Sequence, residues 1–158
     1  MTVAAVTMSD EEIQGFADSL IEVHTQVVRT KGLDLSHAVS TEKEEAIRGR
    51  IISVVAPCFG TVFGQPPSER YRDAFFQIAV FVQHFAKDHI FADGNKRTTV
   101  IACFSLLDQI GLEVAVPDSQ TTITNEVYRV IQGLVTEEID VEEFARFLRL
   151  AAQPPYVL

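Results

Sequence analysis

Apolar residues recur at helical spacing along most of the chain, with short joints between the runs and no sustained alternation of the kind a half-buried strand needs. Ser9 and Glu12 form a capping box, in which hydroxyl and carboxylate satisfy first-turn backbone donors. Behind it, Ile13, Phe16, Ala17, Leu20, His24 and Val27 share one helical face, and Gly32 is the expected stop. After a loop over Leu33–Ser40, a second box of Thr41 and Glu44 opens a helix predicted to run to about Ala56, with Pro57 closing it. The stretch Cys58–Pro67, with Gly60, Gly64, Pro66 and Pro67, is the least regular part, expected as a flap or short hairpin.

Ser68 is the expected cap of the next helix, which the pattern carries to about Lys87. Tyr71, Phe75, Ile78, Ala79, Val82 and Phe85 form its stripe, which Ala74, Val80 and Phe81 widen. A helix this apolar on most sides belongs at the centre of a bundle. A loop over His89–Asn95 follows, then a helix from Lys96 to Ile110 with Val100, Ile101, Phe104, Leu107 and Ile110 inward and Gly111 as stop. Leu112–Val116 is a short extended piece. Thr121–Leu134 is amphipathic through Ile123, Val127, Val130, Ile131 and Leu134, and Asp140 with Glu143 caps a last helix carrying Val141, Phe144, Phe147 and Leu148. The tail 153–158, with Pro154 and Pro155, is expected to be loose. The prediction is an all-α bundle of about six to seven helices with one flap, in a single domain over 1–158 with its core at about 9–150.

The bulk numbers agree with one globular domain. The chain has 158 residues, 47% hydrophobic and 22% charged, and a chain of that length buries roughly 68–70% of its unfolded surface. Cys58 and Cys103 have neither CxxC nor metal-ligand spacing and read as free, half-buried thiols of a reducing cytosol. Met1–Met8 has neither the basic residues nor the long apolar run of a leader, and no stretch has the apolar length of a membrane span, so a cytoplasmic location is expected. A net charge of −9 argues against direct binding to DNA or RNA. It also makes the adjacent Lys96 and Arg97 conspicuous.

Those two cations close the segment His89-Ile90-Phe91-Ala92-Asp93-Gly94-Asn95-Lys96-Arg97-Thr98, between two strongly apolar helices. Gly94 permits torsions other residues avoid and lets backbone approach a ligand closely. Asn95 tolerates such torsions too. The helix that follows presents unpaired N–H groups and the positive end of its dipole, a ready anion site. Two cations there are unfavourable until an anion joins them; Lys offers a point charge and Arg a bidentate grip on phosphate oxygens. Asp93 adds a carboxylate of the kind that holds magnesium alongside substrate phosphates. His89 adds a proton acceptor with an unperturbed pKa of about 6.5. Each piece also has a plain reading: His89 as a helix-end hydrogen-bonding group, Asp93-Gly94 as a turn, Lys96-Arg97 as a solvated face. Together within nine residues they point to phosphoryl or nucleotidyl transfer. The pattern is not a P-loop.

The string resembles the signature of the Fic/Doc superfamily, His-x-Phe-x-Asp/Glu/Asn-Gly/Ala-Asn-Gly/Lys-Arg, and each specified position agrees in order. The resemblance extends from about Ser9 to Leu150; the first helix with His24 and the stretch Glu45-Ala46-Ile47-Arg48-Gly49-Arg50 look similar to the Doc branch. AMP-transferring Fic enzymes carry Gly where this chain has Lys96, and a second Arg where it has Val100, so both departures favour the Doc branch. That resemblance implies a toxin that uses magnesium-ATP to phosphorylate a protein hydroxyl, with elongation factor Tu as target and translation as the process stopped. It implies His89 as general base, Asp93 at the magnesium-bound nucleotide, Gly94, Asn95, Lys96 and Arg97 at the phosphates, and Phe91 as structural anchor of the motif. It also implies a Phd-like protein antitoxin that folds as a helix in a groove. Internal inhibition of the Fic kind is not expected: Ser40 and Glu44 have the first spacing of the inhibitory motif, but Glu45 follows where Gly or Asn is required. His24 is expected as a core histidine, and neither it, His37 nor His84 is given a catalytic role. The alternatives are a Fic-type protein AMP-transferase and an inactive Fic-fold binding module.

Overall fold

The hydrophobic runs become helices. The computed structural model describes residues 3–30, 41–91, 94–114 and 120–153. Among these lie α1 (Asp10–Thr30), α2 (Thr41–Phe59), α3 (Pro67–Arg70), α4 (Ala74–Lys87), α5 (Asn95–Gln109), α6 (Gln120–Val135) and α7 (Val141–Ala151). Two short strands, β1 (Glu113–Val114) and β2 (Ala152–Gln153), pair antiparallel and tie the exit of α5 to the end of α7. The all-α bundle is as the pattern predicts. The expected Gly32 stop, the loop at Leu33–Ser40, His37, Asp93, Ala115, Val116 and residues 154–158 lie outside the described residues, as do the side chains of Thr41 and Ile123.

Helix α4 is the axis of the bundle, with α2, α5, α6 and α7 packed around it and α1 lying on α2 and α5. Nine of its residues are buried, among them Phe75, Ile78, Phe81, Val82 and Phe85, and only a narrow strip that includes His84 and Lys87 reaches water. One continuous hydrophobic cluster joins it to α1 through Phe16 and Leu20, to α2 through Val55 and Phe59, to α6 through Val127 and Ile131, and to α7 through Phe144 and Leu148. Gln77 is the polar exception on this axis. Fully buried, it donates to the Val6 and Cys58 carbonyls at 2.7 and 2.9 Å and accepts from the Val6 N–H at 2.7 Å. One amide thus fixes the N-terminal segment and the end of α2 to the core.

The capping boxes and turns mostly sit where the sequence puts them. Ser9 and Glu12 exchange side-chain-to-backbone bonds of 3.1 and 3.2 Å. Asp140 accepts from the Glu143 N–H at 2.8 Å, and Gly111 has φ 78° at the exit of α5.

Four details differ from the sequence expectation. Helix α2 runs through Pro57 to Phe59. An interior proline costs about 3 kcal/mol, but full burial of a side chain such as Phe59 contributes about 1.5–3 kcal/mol. The last turn is also closed by Gly60 N–H donating to the Ala56 carbonyl, and the Phe59 carbonyl accepts from the Met8 N–H. Ser68 does not cap the central helix: it lies within α3, Tyr71 is extended, and α4 starts at an Asp73 cap whose Oδ1 accepts from the Phe76 N–H at 2.9 Å. Asp73 wins because its other oxygen takes a charge-assisted bond from Arg149 of α7 at 2.6 Å, a partner that no local pattern shows. On α5, Ile101 is 37% exposed, while Thr98, Thr99, Ala102, Cys103 and Leu106 are buried. The helix is packed by α1, α4 and α6 at once, so its buried surface is broader than one stripe. The thiols are not half-buried: Cys58 and Cys103 are both buried and unpaired.

Replacing Gln77 by Leu leaves the Val6 N–H and two carbonyls without their partner. We expect a loss of about 2–4 kcal/mol, read as a lower urea midpoint at unchanged m-value. The thiols give a second expectation. Burial pushes Cys58 up to about 11, with the Tyr71 hydrogen bond and Arg70 pulling part of the way back, and pushes Cys103 up to about 12. Unfolded, both ionise from near 9.0. The folded chain therefore keeps protons that the unfolded chain releases, so the stability these thiols confer is full below pH 9 and is lost as pH rises through the folded values. Urea titrations at stepped pH should show the unfolding free energy falling above pH 9; a rise there would contradict the burial of the thiols.

Candidate active site

The loop that carries the motif joins the exit of the axial helix to the start of its most buried neighbour. At the end of α4, Asp88 remains in the right-handed helical region with its N–H on the His84 carbonyl. His89 then turns to φ 46°, a left-handed torsion uncommon for a side-chain-bearing residue. Its ring is exposed and makes no hydrogen bond among the described residues. The chain next dives into the core: Ile90 is 4% and Phe91 3% exposed. Gly94, at φ 78°, is the N-cap of α5.

Three sets of contacts fix this path. The Phe91 ring ends an aromatic ladder that starts in the middle of the bundle: Phe59 on Phe81 at 5.5 Å, Phe81 on Phe85 at 5.4 Å, and Phe85 on Phe91 at 6.4 Å between centroids. On its other side, Phe91 stacks on the buried His24 ring of α1 at 3.8 Å and an interplanar angle of 6°. Asn95 spans the loop, its Oδ1 accepting from the Phe91 N–H at 3.0 Å and its Nδ2 donating to the Phe91 carbonyl at 2.8 Å. Arg50 of α2 reaches in from outside and donates to the carbonyls of Asp88 and Ile90, at 3.0 and 3.2 Å.

Electrostatically, the start of α5 is a positive end that, among the described residues, has no side-chain cap. Its glycine cap offers no side-chain acceptor, its first turn contains no acid, and the N–H groups of Asn95, Lys96 and Arg97 have no helical carbonyl to meet. Neither Lys96 nor Arg97 forms an ion pair among the described residues. The Lys96 ammonium sits over the Tyr128 ring of α6 at 5.6 Å from its centroid. Among the described residues Arg97 Nε and Thr98 Oγ1 are shut away from solvent with no hydrogen-bond partner, positions that cost about 1–3 kcal/mol each if left unmet. The first-turn N–H groups and the two cations suit an anion with several oxygens.

The sequence-selected residues divide into two groups. His89, Gly94, Lys96 and Arg97 lie on one short path around the loop and the first turn of α5. Asn95 is at that turn too, but its side-chain amide is engaged with Phe91, so only its backbone N–H faces an anion. Asp93 lies outside the described residues. Among the described residues there is no cluster of three or more metal-ligating side chains, and no helix is long and apolar enough to cross a membrane. His24 is the core histidine expected, and His84 is exposed on the last turn of α4. The irregular stretch after α2 folds into a tight hairpin, Val62 and Gln65 exchanging backbone bonds across Phe63 and Gly64, both at positive φ. Phe63 is wholly exposed at its tip.

Sequence reasoning missed Arg50, Tyr128 and the His24–Phe91 stack. Arg50 had a weak signal in the Glu45–Arg50 string; the other two depend on packing between distant helices. A Cβ on Gly94 would stand 3.3 Å from Val27 Cγ1 and 3.4 Å from His24 Cδ2, with φ in the left-handed region. Side-chain neighbours can give by a few tenths of an ångström, so Gly94→Ala should fold. We expect it to lose about 1–2 kcal/mol, read by urea unfolding, with a perturbed His24 ring signal in NMR.

Comparison with known proteins bears on this geometry. No curated protein matches the chain. A family model described as Fic/DOC family matches residues 10–107, more than half of the chain and the whole path from the first helix through His89, Arg97 and most of α5. Proteins of that family generally transfer nucleotide or phosphate groups to proteins. The match spans the elements that build the loop, its aromatic anchor and the cationic helix start, and on this evidence the chain belongs to the Fic/Doc family.

Proposed function

We propose that this protein is a Doc-type toxin, a kinase that moves the terminal phosphate of ATP onto a serine or threonine hydroxyl of elongation factor Tu and so blocks translation. The observation that carries the reading is the pairing of an exposed His89, held in a left-handed turn, with an uncapped helix start bearing Lys96 and Arg97. In this scheme the nucleotide phosphates lie against the N–H groups of Asn95, Lys96 and Arg97. Lys96 acts as a point charge and Arg97 as a fork on the phosphate oxygens. The His89 imidazole takes the proton of the target hydroxyl as the oxygen bonds to the terminal phosphorus. The bond from that phosphorus to its bridging oxygen breaks, and ADP leaves. Asp93 is the carboxylate that would hold the nucleotide's magnesium, which would supply neutralisation of phosphate charge.

Lys96 favours the kinase over an AMP-transferase, since that side chain fills with a cation the place where AMP-transferring relatives have glycine. The fully exposed Phe63 at the hairpin tip supports a flap that holds the target segment. As a Doc-type toxin acting on the translation machinery, the protein works in the cytoplasm and is held by a Phd-like antitoxin that docks as a helix in a groove. Incubation of elongation factor Tu with the protein and magnesium-ATP, followed by mass spectrometry, tests the reading. One added phosphate per target molecule is expected, reduced by about 10²–10⁴-fold in His89→Ala. One added AMP would assign the protein to the AMP-transferring branch, and an unmodified target would refute this choice of substrate.

A further inference from the structure

We infer that Arg50 is the positioning residue for His89, a guanidinium clamp from a neighbouring helix that sets where the proton acceptor points. The inference rests on the reading of His89 as that acceptor. The two carbonyls that Arg50 grips belong to Asp88 and Ile90, the residues on either side of His89. Between them the backbone makes its left-handed turn at φ 46°, a conformation that persists only where the surroundings impose it. Beyond Ile90 the loop is already fixed by the Phe91 ladder and the Asn95 bridge. Before Asp88 it is fixed by helix α4. Among the described residues His89 has neither burial nor a side-chain hydrogen bond to hold it, and the Arg50 fork spans it.

The chemistry suits a guanidinium. Asp88 is the C-cap of α4 and Ile90 follows two residues later, so both carbonyls lie past the helix's own N–H donors and near the negative end of its dipole, where a cation is favoured. Two donors in a rigid plane can meet two carbonyls of a fixed turn at once, which an ammonium on a flexible stem does with less geometric control. Arg48, two residues earlier, is bonded instead to Asp18 and faces Glu44. It therefore serves as a control on the same helix.

The experiment compares Arg50→Ala, Arg50→Lys and Arg48→Ala by three readouts. The His89 ring signals in ¹³C–¹H spectra of histidine-labelled protein, assigned with His89→Ala, report the turn without any activity. Steady-state transfer from γ-labelled ATP gives kcat and KM. Methylguanidinium added to Arg50→Ala tests rescue, which is feasible because Arg50 is solvent-exposed. The clamp predicts shifted or broadened His89 signals in Arg50→Ala but not in Arg48→Ala. It predicts a kcat loss of about 10²-fold with nucleotide KM little changed, as displacement of a reacting group gives. It also predicts partial recovery with methylguanidinium and little with Lys. His89 signals in Arg50→Ala that coincide with wild type would overturn it, as would a kcat loss that tracks lowered thermal stability and is not rescued. If the wild-type protein transfers nothing, the reading of His89 as a general base fails, and the ring signals alone still decide whether Arg50 sets the turn.

Discussion

Helix α4 must be surrounded. Phe75, Ile78, Phe81, Val82 and Phe85 make a broad apolar surface, and a helix with only a narrow strip for water is stable where other helices cover the rest. That requirement draws α2, α5, α6 and α7 around it. It also decides where chemistry can occur. Most of the axis is covered by its neighbours, and the chain emerges from it at Asp88 and His89. Because the next segment turns straight back into the buried α5, the exit of one interior helix and the start of another are held together in one short loop. The connection places His89 at the first and the cations Lys96 and Arg97 at the second.

The loop is anchored to the same core that creates it. Phe91 extends the aromatic ladder of Phe59, Phe81 and Phe85, and His24 closes over its far face. A shift of the loop would open a gap beside large rings, and well-packed cores resist such gaps. Asn95 and Arg50 add directional bonds at the two ends of the segment. The exposed His89 and the half-buried Lys96 thus stand on a rigid base, which group transfer requires, since catalysis depends on placing a few groups within a fraction of an ångström.

The division of labour at the start of α5 follows from the same logic. Its first turn lacks both a capping side chain and an acid, and its charged residues are cations. A helix optimised for stability alone would reverse those choices. Local rules are broken most often at functional sites, where the missing partner is the substrate.

What the sequence by itself determined is what depends on neighbours along the chain. The helical periods, the Ser9–Glu12 and Asp140–Glu143 caps, the Gly111 stop and the order His89, Phe91, Gly94, Lys96, Arg97 all rest on contacts within about four residues, so the bundle and its motif were legible. Tertiary structure alone decided what depends on residues far apart in the chain. Arg149 makes Asp73, rather than Ser68, the head of α4. Burial of Phe59 carries α2 through Pro57. Packing on three sides spreads the buried surface of α5 beyond one stripe. Asn95 is turned from a free amide into a brace for Phe91, and Arg50 is brought from another helix to the carbonyls beside His89. Periodicity reports which face of a helix is apolar, but it carries no information on which distant donor will find which acceptor once the faces meet.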